Sequence, residues 1–135
     1  MTKRQSGTAF QRWCKKWLEE YFPGVVVHNQ AMNHVMVGPG KWICQENDIL
    51  GCIDLVAIHR DQPPLFIQVS LDEHTTKRLD KFALVPWNLS HCAVQLWIKR
   101  PTGIVSIKQL GEDALTGKVF LTDHAQIVRR KYERI

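Results

Sequence analysis

The chain has 135 residues, 44% hydrophobic and 23% charged, enough for one layered core and too few for two, and this composition excludes a largely disordered polar chain. No run approaches the roughly 20 consecutive apolar residues that span a bilayer, and the opening MTKRQSGT lacks the apolar centre of a signal peptide. A single domain over residues 1–135, with no membrane partner and a cytoplasmic location, is therefore expected.

Lys+Arg 18 against Asp+Glu 13 gives a net charge of +5 and a pI near 9.2. That balance suits polyanionic partners, because each cation brought to a phosphate releases condensed counterions. Cys14, Cys44, Cys52 and Cys92 form no C-x-x-C pair and read as reduced core thiols. Cys44 and Cys52 with His28 and His34 match no standard zinc spacing.

In chain order, TAFQRWCKKWLEEYFPG places Phe10, Trp13, Cys14, Trp17, Leu18 and Tyr21 on one helical face. Pro23-Gly24 ends that helix, and Thr8 with Gln11 reads as a T-x-x-Q capping box at its start. Residues 25–37, VVVHNQAMNHVMV, predict one strand, straight, bent or folded into a hairpin, before the GPGKW turn. A strand is expected near residues 52–58, then the polar turn HRDQPP and a strand over 65–71, together a hairpin. DEHTTKRLDKFALVP predicts a helix with Leu79, Phe82 and Ala83 on one face and Pro86 as its stop. Strands at 92–98 and 104–110 follow, and the tail from Asp123 to RRKYERI reads as a short basic helix. The expected class is α/β, a mixed central sheet flanked by helices.

Candidate chemistry sits in the hairpin. In LFIQVSL, Leu65, Ile67, Val69 and Leu71 face one way while Phe66, Gln68 and Ser70 face the other. Folding the hairpin about Asp61 and Gln62 sets Asp54 opposite residues 68–70 on the same face as Gln68 and Ser70. A carboxylate between Ile53 and Leu55 is costly to bury unless it is hydrogen-bonded, paired or bound to a metal. Mg²⁺ or Mn²⁺ would meet that need, with Asp54, the Gln68 amide oxygen, the Val69 carbonyl and Asp48 as candidate ligands. The competing reading is structural: Asp54 caps a turn or pairs with a lysine.

DILGCIDLVAI and LFIQVSLDEHTTKRLDK, within residues 48–81, resemble the core of the PD-(D/E)XK nuclease superfamily, where a hairpin presents an Asp and then an acid-x-Lys triplet before a helix. GTAFQRWCKKWLEEYFPG is similar to the first helix of its Holliday-junction-resolvase-like branch, with Gln11 where Glu is usual, and PWNLSHCAVQLWIKR resembles the Pro-Trp and Val-x-x-Trp segments of small phage and bacterial members. The resemblance covers roughly residues 7–100 and lies in the order of short motifs. It implies a restriction-endonuclease-like fold with an αβββαβ core, DNA as substrate and a homodimer. It also implies hydrolysis of phosphodiester bonds with a divalent metal, on branched or mismatched DNA.

On that resemblance Asp54 binds the metal, Gln68 replaces the second acid, Val69 lends its carbonyl, and Ser70 replaces the lysine. An amide binds a cation less strongly than a carboxylate, and a serine supplies no positive charge to a transferring phosphoryl group. Lys77 on the following helix is the nearest replacement cation.

Other features are independent of the resemblance. His74, Lys77, Arg78 and Lys81 recur at helical spacing as a basic stripe suited to DNA phosphates, or as an ordinary solvated face. Arg129, Arg130, Lys131 and Arg134 form a second basic cluster. Trp13, Trp17 and Trp97 read as core, Trp42 and Trp87 as candidate contacts, His59 as structural, and Glu19 and Glu20 as solvated. Two function classes follow: a metal-dependent DNA endonuclease, or a catalytically inactive DNA-binding or assembly protein that keeps the fold. A small RNA-binding domain, resting on charge alone, is a third.

Overall fold

The computed structural model describes residues 3–29, 31–47 and 49–128, and for residues 3–6, 31–38 and 41–47 it describes the backbone. Helix α1 (Lys3–Tyr21) is followed by strands β1 (Val26–Asn29), β2 (Ala31–Gly38), β3 (Lys41–Asn47), β4 (Leu55–His59) and β5 (Gln62–Ser70). Helix α2 (Thr75–Phe82) then leads into β6 (Ala93–Lys99), β7 (Ile104–Glu112) and β8 (Val119–Val128). One six-stranded sheet has the order β1-β4-β5-β6-β7-β8, and β2 with β3 forms a separate two-stranded hairpin. β5 and β6 are parallel, so α2 is their crossover, and the other pairs in the large sheet are antiparallel. The chain is thus an α/β protein built on a mixed sheet.

Each face of the sheet has its own core. Phe10, Trp13, Cys14 and Leu18 of α1 pack on Leu55, Ala57, Ile67 and Trp97. On the opposite face Phe82 of α2 joins Cys52, Ile53, Val94, Leu96 and Ile98. β6 is buried on both sides, which explains its continuous apolar run. Full burial of a side chain such as Phe10 or Leu18 stabilises by about 1.5–3 kcal/mol. The prolines of β5 lie at its start, within the irregular stretch opposite Ala57 and His59, and pairing with β6 begins at Leu65. A residue without an N–H is tolerated there because the second ladder has not begun.

Three expectations are corrected. α1 starts at Lys3, so Thr8 and Gln11 lie inside the helix and form no capping box; the Lys-Arg-Gln run upstream favours helix strongly enough to carry it through Gly7. The segment from Asp123 to Val128 is strand, because Val119–Val128 pairs with β7 and this outweighs the basic composition that follows. Residues 25–37 give two strands in different sheets. Arg129, Arg130, Lys131 and Arg134 lie outside the described residues. Among the described residues, no helix is long and apolar enough to cross a membrane.

Candidate functional site

Asp54 is delivered by a tight turn. Leu50 and Gly51 both have positive φ, 56° and 77°, and reciprocal Ile49–Ile53 main-chain bonds of 2.8 and 2.9 Å close the loop. For leucine the left-handed region costs roughly 1–2 kcal/mol, and the turn brings the chain into β4 at Asp54. The Asp54 main-chain N–H donates to the Ile67 carbonyl at 2.9 Å, and its Oδ2 accepts the Val69 N–H at 2.8 Å. Main-chain N–H groups of a strand point along the sheet. The carboxylate therefore occupies the place of a missing β4 carbonyl, where the two strands part. Only 8% of the residue is exposed.

α1 closes the site from one side. The buried Cys14 thiol is pushed well above its ordinary value by desolvation and then by the negative charge of Asp54, so the middle of α1 lies beside that carboxylate. On β5, Gln68 and Ser70 are almost fully buried at 3% and 4%. Leu55 pairs with Ile67, which sets Asp54 abreast of Gln68.

The Ser70 hydroxyl is held by its neighbours: it donates to the Asp72 carbonyl at 2.7 Å, accepts the Asp72 N–H at 3.1 Å, and accepts from Arg78 Nη2 at 3.2 Å. Asp72 Oδ1 lies 3.7 Å from the same guanidinium nitrogen and accepts the His74 N–H at 3.3 Å, tying the end of β5 to the start of α2. Desolvation pushes the Asp72 carboxyl up, but the His74 N–H, the Ser70 hydroxyl and the positive charges of His74 and Arg78 together hold it below its usual value.

Among the described residues, two buried side-chain polar atoms lack a hydrogen-bond partner: Gln68 Oε1 and Arg78 Nε. Both belong to this cluster. A buried amide oxygen without a donor costs roughly 1–3 kcal/mol, so a cation or a donor from outside would offset that cost. By contrast, a cleft of about 500 Å³ at the far end of the hairpin, whose lining includes Leu18, Tyr21, His59, Leu65 and Gln95, has partners for two of its polar side chains. His59 bonds the Pro23 carbonyl at 3.1 Å, and Gln95 bonds Gln109 and Trp97, each at 2.9 Å.

Of the residues expected in the hairpin, Asp54 is joined to the Val69 N–H and lies one step past the Leu55–Ile67 pair, abreast of Gln68 along the strand, while the partners of the Ser70 hydroxyl are Asp72 and Arg78. For Val69, the group engaged with Asp54 is its N–H. Asp48 lies outside the described residues. The basic stripe divides: His74 and Lys77 are exposed, Lys81 is half-buried, and Arg78 turns inward to Ser70. Arg78, expected beside Lys77 on one basic stripe, is thus set apart from it by its bond to Ser70. Trp87 packs on Phe66 with ring centres 5.1 Å apart and donates to the Phe82 carbonyl, while the side chain of Trp42 lies outside the described residues. Sequence reasoning missed Asp72, although Ser70-Leu71-Asp72 has the spacing of a hydroxyl–carboxylate turn.

Among the described residues, no three His, Cys, Asp or Glu side chains converge as a metal site. A hard cation does not need them, since Mg²⁺ commonly takes one or two carboxylates and completes its shell with water and phosphate. In comparisons with protein-family models, curated proteins and solved structures, nothing matches the chain.

Proposed function

We propose that the chain is a metal-dependent DNA endonuclease with a restriction-endonuclease-like core, cutting phosphodiester bonds in branched or mismatched DNA and working as a homodimer. The observation that carries this reading is a buried carboxylate, Asp54, on the strand position abreast of Gln68, whose buried Oε1 has no hydrogen-bond partner. The order α1, β1, β4, β5, α2, β6 agrees with an αβββαβ core, with the β2–β3 hairpin as an insertion. The net charge of +5 suits a polyanion.

The donor set fits a Mg²⁺- or Mn²⁺-like ion held by Asp54 and Gln68, both hard oxygen donors. When bound, such an ion supplies Lewis acidity to a phosphoryl oxygen and lowers the pKa of water. The chain's own residues do the rest. Asp54 brings negative charge to a fixed point, because the Val69 N–H anchors Oδ2 and leaves little rotational freedom. Gln68 adds an oxygen without adding charge. The middle of α1 covers one side of the carboxylate, and His74 and Lys77 on α2 are exposed and available to a DNA backbone.

A second reading, a DNA-binding or assembly protein that has lost the chemistry, draws on a different observation. Asp54 Oδ2 and the Ser70 hydroxyl already have internal partners. The two readings separate when supercoiled, linear and four-way-junction DNA are incubated with Mg²⁺, Mn²⁺ or EDTA, alongside Asp54→Ala. Cleavage lost with EDTA and with the substitution supports the enzyme. DNA binding retained in Asp54→Ala, with no cleavage by either protein under any metal, establishes the inactive binder.

A further inference from the structure

Arg78 is the unexpected member of the cluster. Its guanidinium reaches from α2 to the end of β5, where Nη2 donates to Ser70 Oγ at 3.2 Å and lies 3.7 Å from Asp72 Oδ1, beyond hydrogen-bonding distance. Its Nε–H is buried and has no acceptor. A guanidinium presents Nε–H and one Nη–H as a planar fork that matches two oxygens of a phosphate. Here one tooth of the fork is idle and the other lightly engaged. The guanidinium borders a concavity of about 180 Å³, room for a phosphate group, whose walls include Gly7, Phe10, Val69, Ser70 and Asp72. A side chain at Gly7 would meet nothing within 4 Å, so this rim is open.

A second buried atom without a partner lies nearby on the same strand. Gln68 is 3% exposed and its Oε1 has no partner, two residues along β5 from Ser70. A fold that needed only stability would have paired Gln68 Oε1 and Arg78 Nε or filled both positions with apolar groups.

We propose that Arg78 is the phosphate-binding cation of the site, and that Asp72 is its tether, standing in for phosphate until the nucleic-acid backbone displaces it. The Arg78 fork takes two phosphate oxygens through Nε and Nη2, and Ser70 keeps the guanidinium in register by accepting from it. Asp72 keeps its own bonds to the His74 N–H and Ser70 hydroxyl, so release of Arg78 leaves the start of α2 intact. Lys77, the neighbouring cation on α2, is exposed and contributes as a general attraction. The inference rests on the reading of the protein as one that engages phosphodiesters, and it assigns the residue that makes the contact.

The test measures binding apart from cleavage. Affinity for a four-way-junction DNA is titrated from 50 to 200 mM salt in EDTA for the wild-type protein, Arg78→Gln, Arg78→Lys, Lys77→Gln and Asp72→Asn, and the Arg78 Nε–H resonance is followed as DNA is added. Expected results are a roughly tenfold loss in Arg78→Gln with a salt slope shallower by about one phosphate contact. Arg78→Lys should recover the slope but not the full affinity, because an ammonium lacks the fork, and the wild-type Nε–H signal should shift. Lys77→Gln should lose less affinity than Arg78→Gln. Asp72→Asn should bind about threefold tighter, since a competing charge is gone, and this arm decides the matter if Arg78→Gln does not fold. Unchanged affinity and slope in Arg78→Gln, a stationary Nε–H signal, weaker binding in Asp72→Asn, or no DNA binding by the wild type overturns the proposal. Cleavage that persists in Arg78→Gln with unchanged binding removes the assignment and leaves the endonuclease; Arg78-dependent binding without metal-dependent cleavage does the reverse.

Discussion

Two glutamines are buried on neighbouring strands of the sheet and have opposite fates. Gln95 on β6 is 8% exposed and fully employed, its Nε2 donating to Gln109 and its Oε1 accepting from Trp97 Nε1, each at 2.9 Å. Gln68 on β5 is 3% exposed, and its Oε1 has no partner. The register sets Gln95 beside Ile67 and Gln68 beside Leu96, so the two residues are one step apart on neighbouring strands and their side chains project to opposite faces of the sheet. A satisfied buried amide is architecture, since its bonds offset its desolvation. An unsatisfied one destabilises the fold and needs a reason outside it.

The contrast breaks most decisively at Asp54. If Gln68 is unpaired because it shares a cation with Asp54, Asp54→Asn, which keeps an acceptor for the Val69 N–H but removes the charge, should lower metal-dependent cleavage by about 10²–10³. Stability should change far less, and a melting curve taken beside the cleavage assay shows it. Wild-type activity in Asp54→Asn would reduce Asp54 to a strand cap.

Stability tests the two glutamines directly. Gln95→Leu strips partners from Trp97 and Gln109 and should cost about 1–3 kcal/mol in denaturant unfolding. Gln68→Leu removes an acceptor that nothing satisfies, and should be neutral or stabilising by up to about 1 kcal/mol while impairing metal-dependent cleavage. Equal losses in both variants would mean that the Gln68 amide has a structural partner.

This contrast also shows where the sequence was readable. Period-two alternation in LFIQVSL predicts Gln68 and Ser70 on one face, and folding about Asp61 and Gln62 comes close to the observed register, in which His59 pairs with Gln62 and Asp54 falls abreast of Gln68, because a short hairpin leaves little choice. What alternation cannot report is saturation: Gln68 and Gln95 look alike in sequence, and their difference depends on Gln109 and Trp97, which come from pairing with β7 and from rotamers. The inward turn of Arg78 was hidden for a similar reason. Helical spacing groups it with Lys77, but the roughly 100° between successive residues turns one inward and leaves the other in solvent. The tail failed because Val119–Val128 is paired by β7, a partner that local composition does not announce.

A smaller effect sharpens the role of Gln68. Gln68→Glu places a second carboxylate beside Asp54 in a buried setting, where desolvation and like charge would raise its pKa above the unfolded value. A raised acid is protonated in the fold and ionised in the unfolded chain, so in EDTA the variant should lose stability relative to wild type as pH rises from about 5 to 8. Mg²⁺ should restore that loss and saturate cleavage at a several-fold lower concentration. A variant that melts identically with and without Mg²⁺ would show that no cation reaches this position.

The smallest effect concerns Asp72, whose carboxyl lies below its ordinary value because the His74 N–H, the Ser70 hydroxyl and the neighbouring cations outweigh its desolvation. A depressed acid contributes stability that is fully present above the unfolded value, near pH 4, and is lost as pH falls through the lower folded value. Because 31% of its side chain is exposed, the contribution should be well under ~1 kcal/mol. The melting difference between wild type and Asp72→Asn should therefore stay constant from pH 7 to 5 and shrink below pH 4. Asp113 and Asp123 are shifted in the same direction, so the difference between the two proteins carries the information, not the acid limb of either alone. A difference that survives to pH 2.5 would mean that Asp72 works through the shape of its turn and not its charge. In that event it could not stand in for phosphate at Arg78, and the distinction between a group bonded for the fold and a group kept for a ligand would have to be drawn at Gln68 alone.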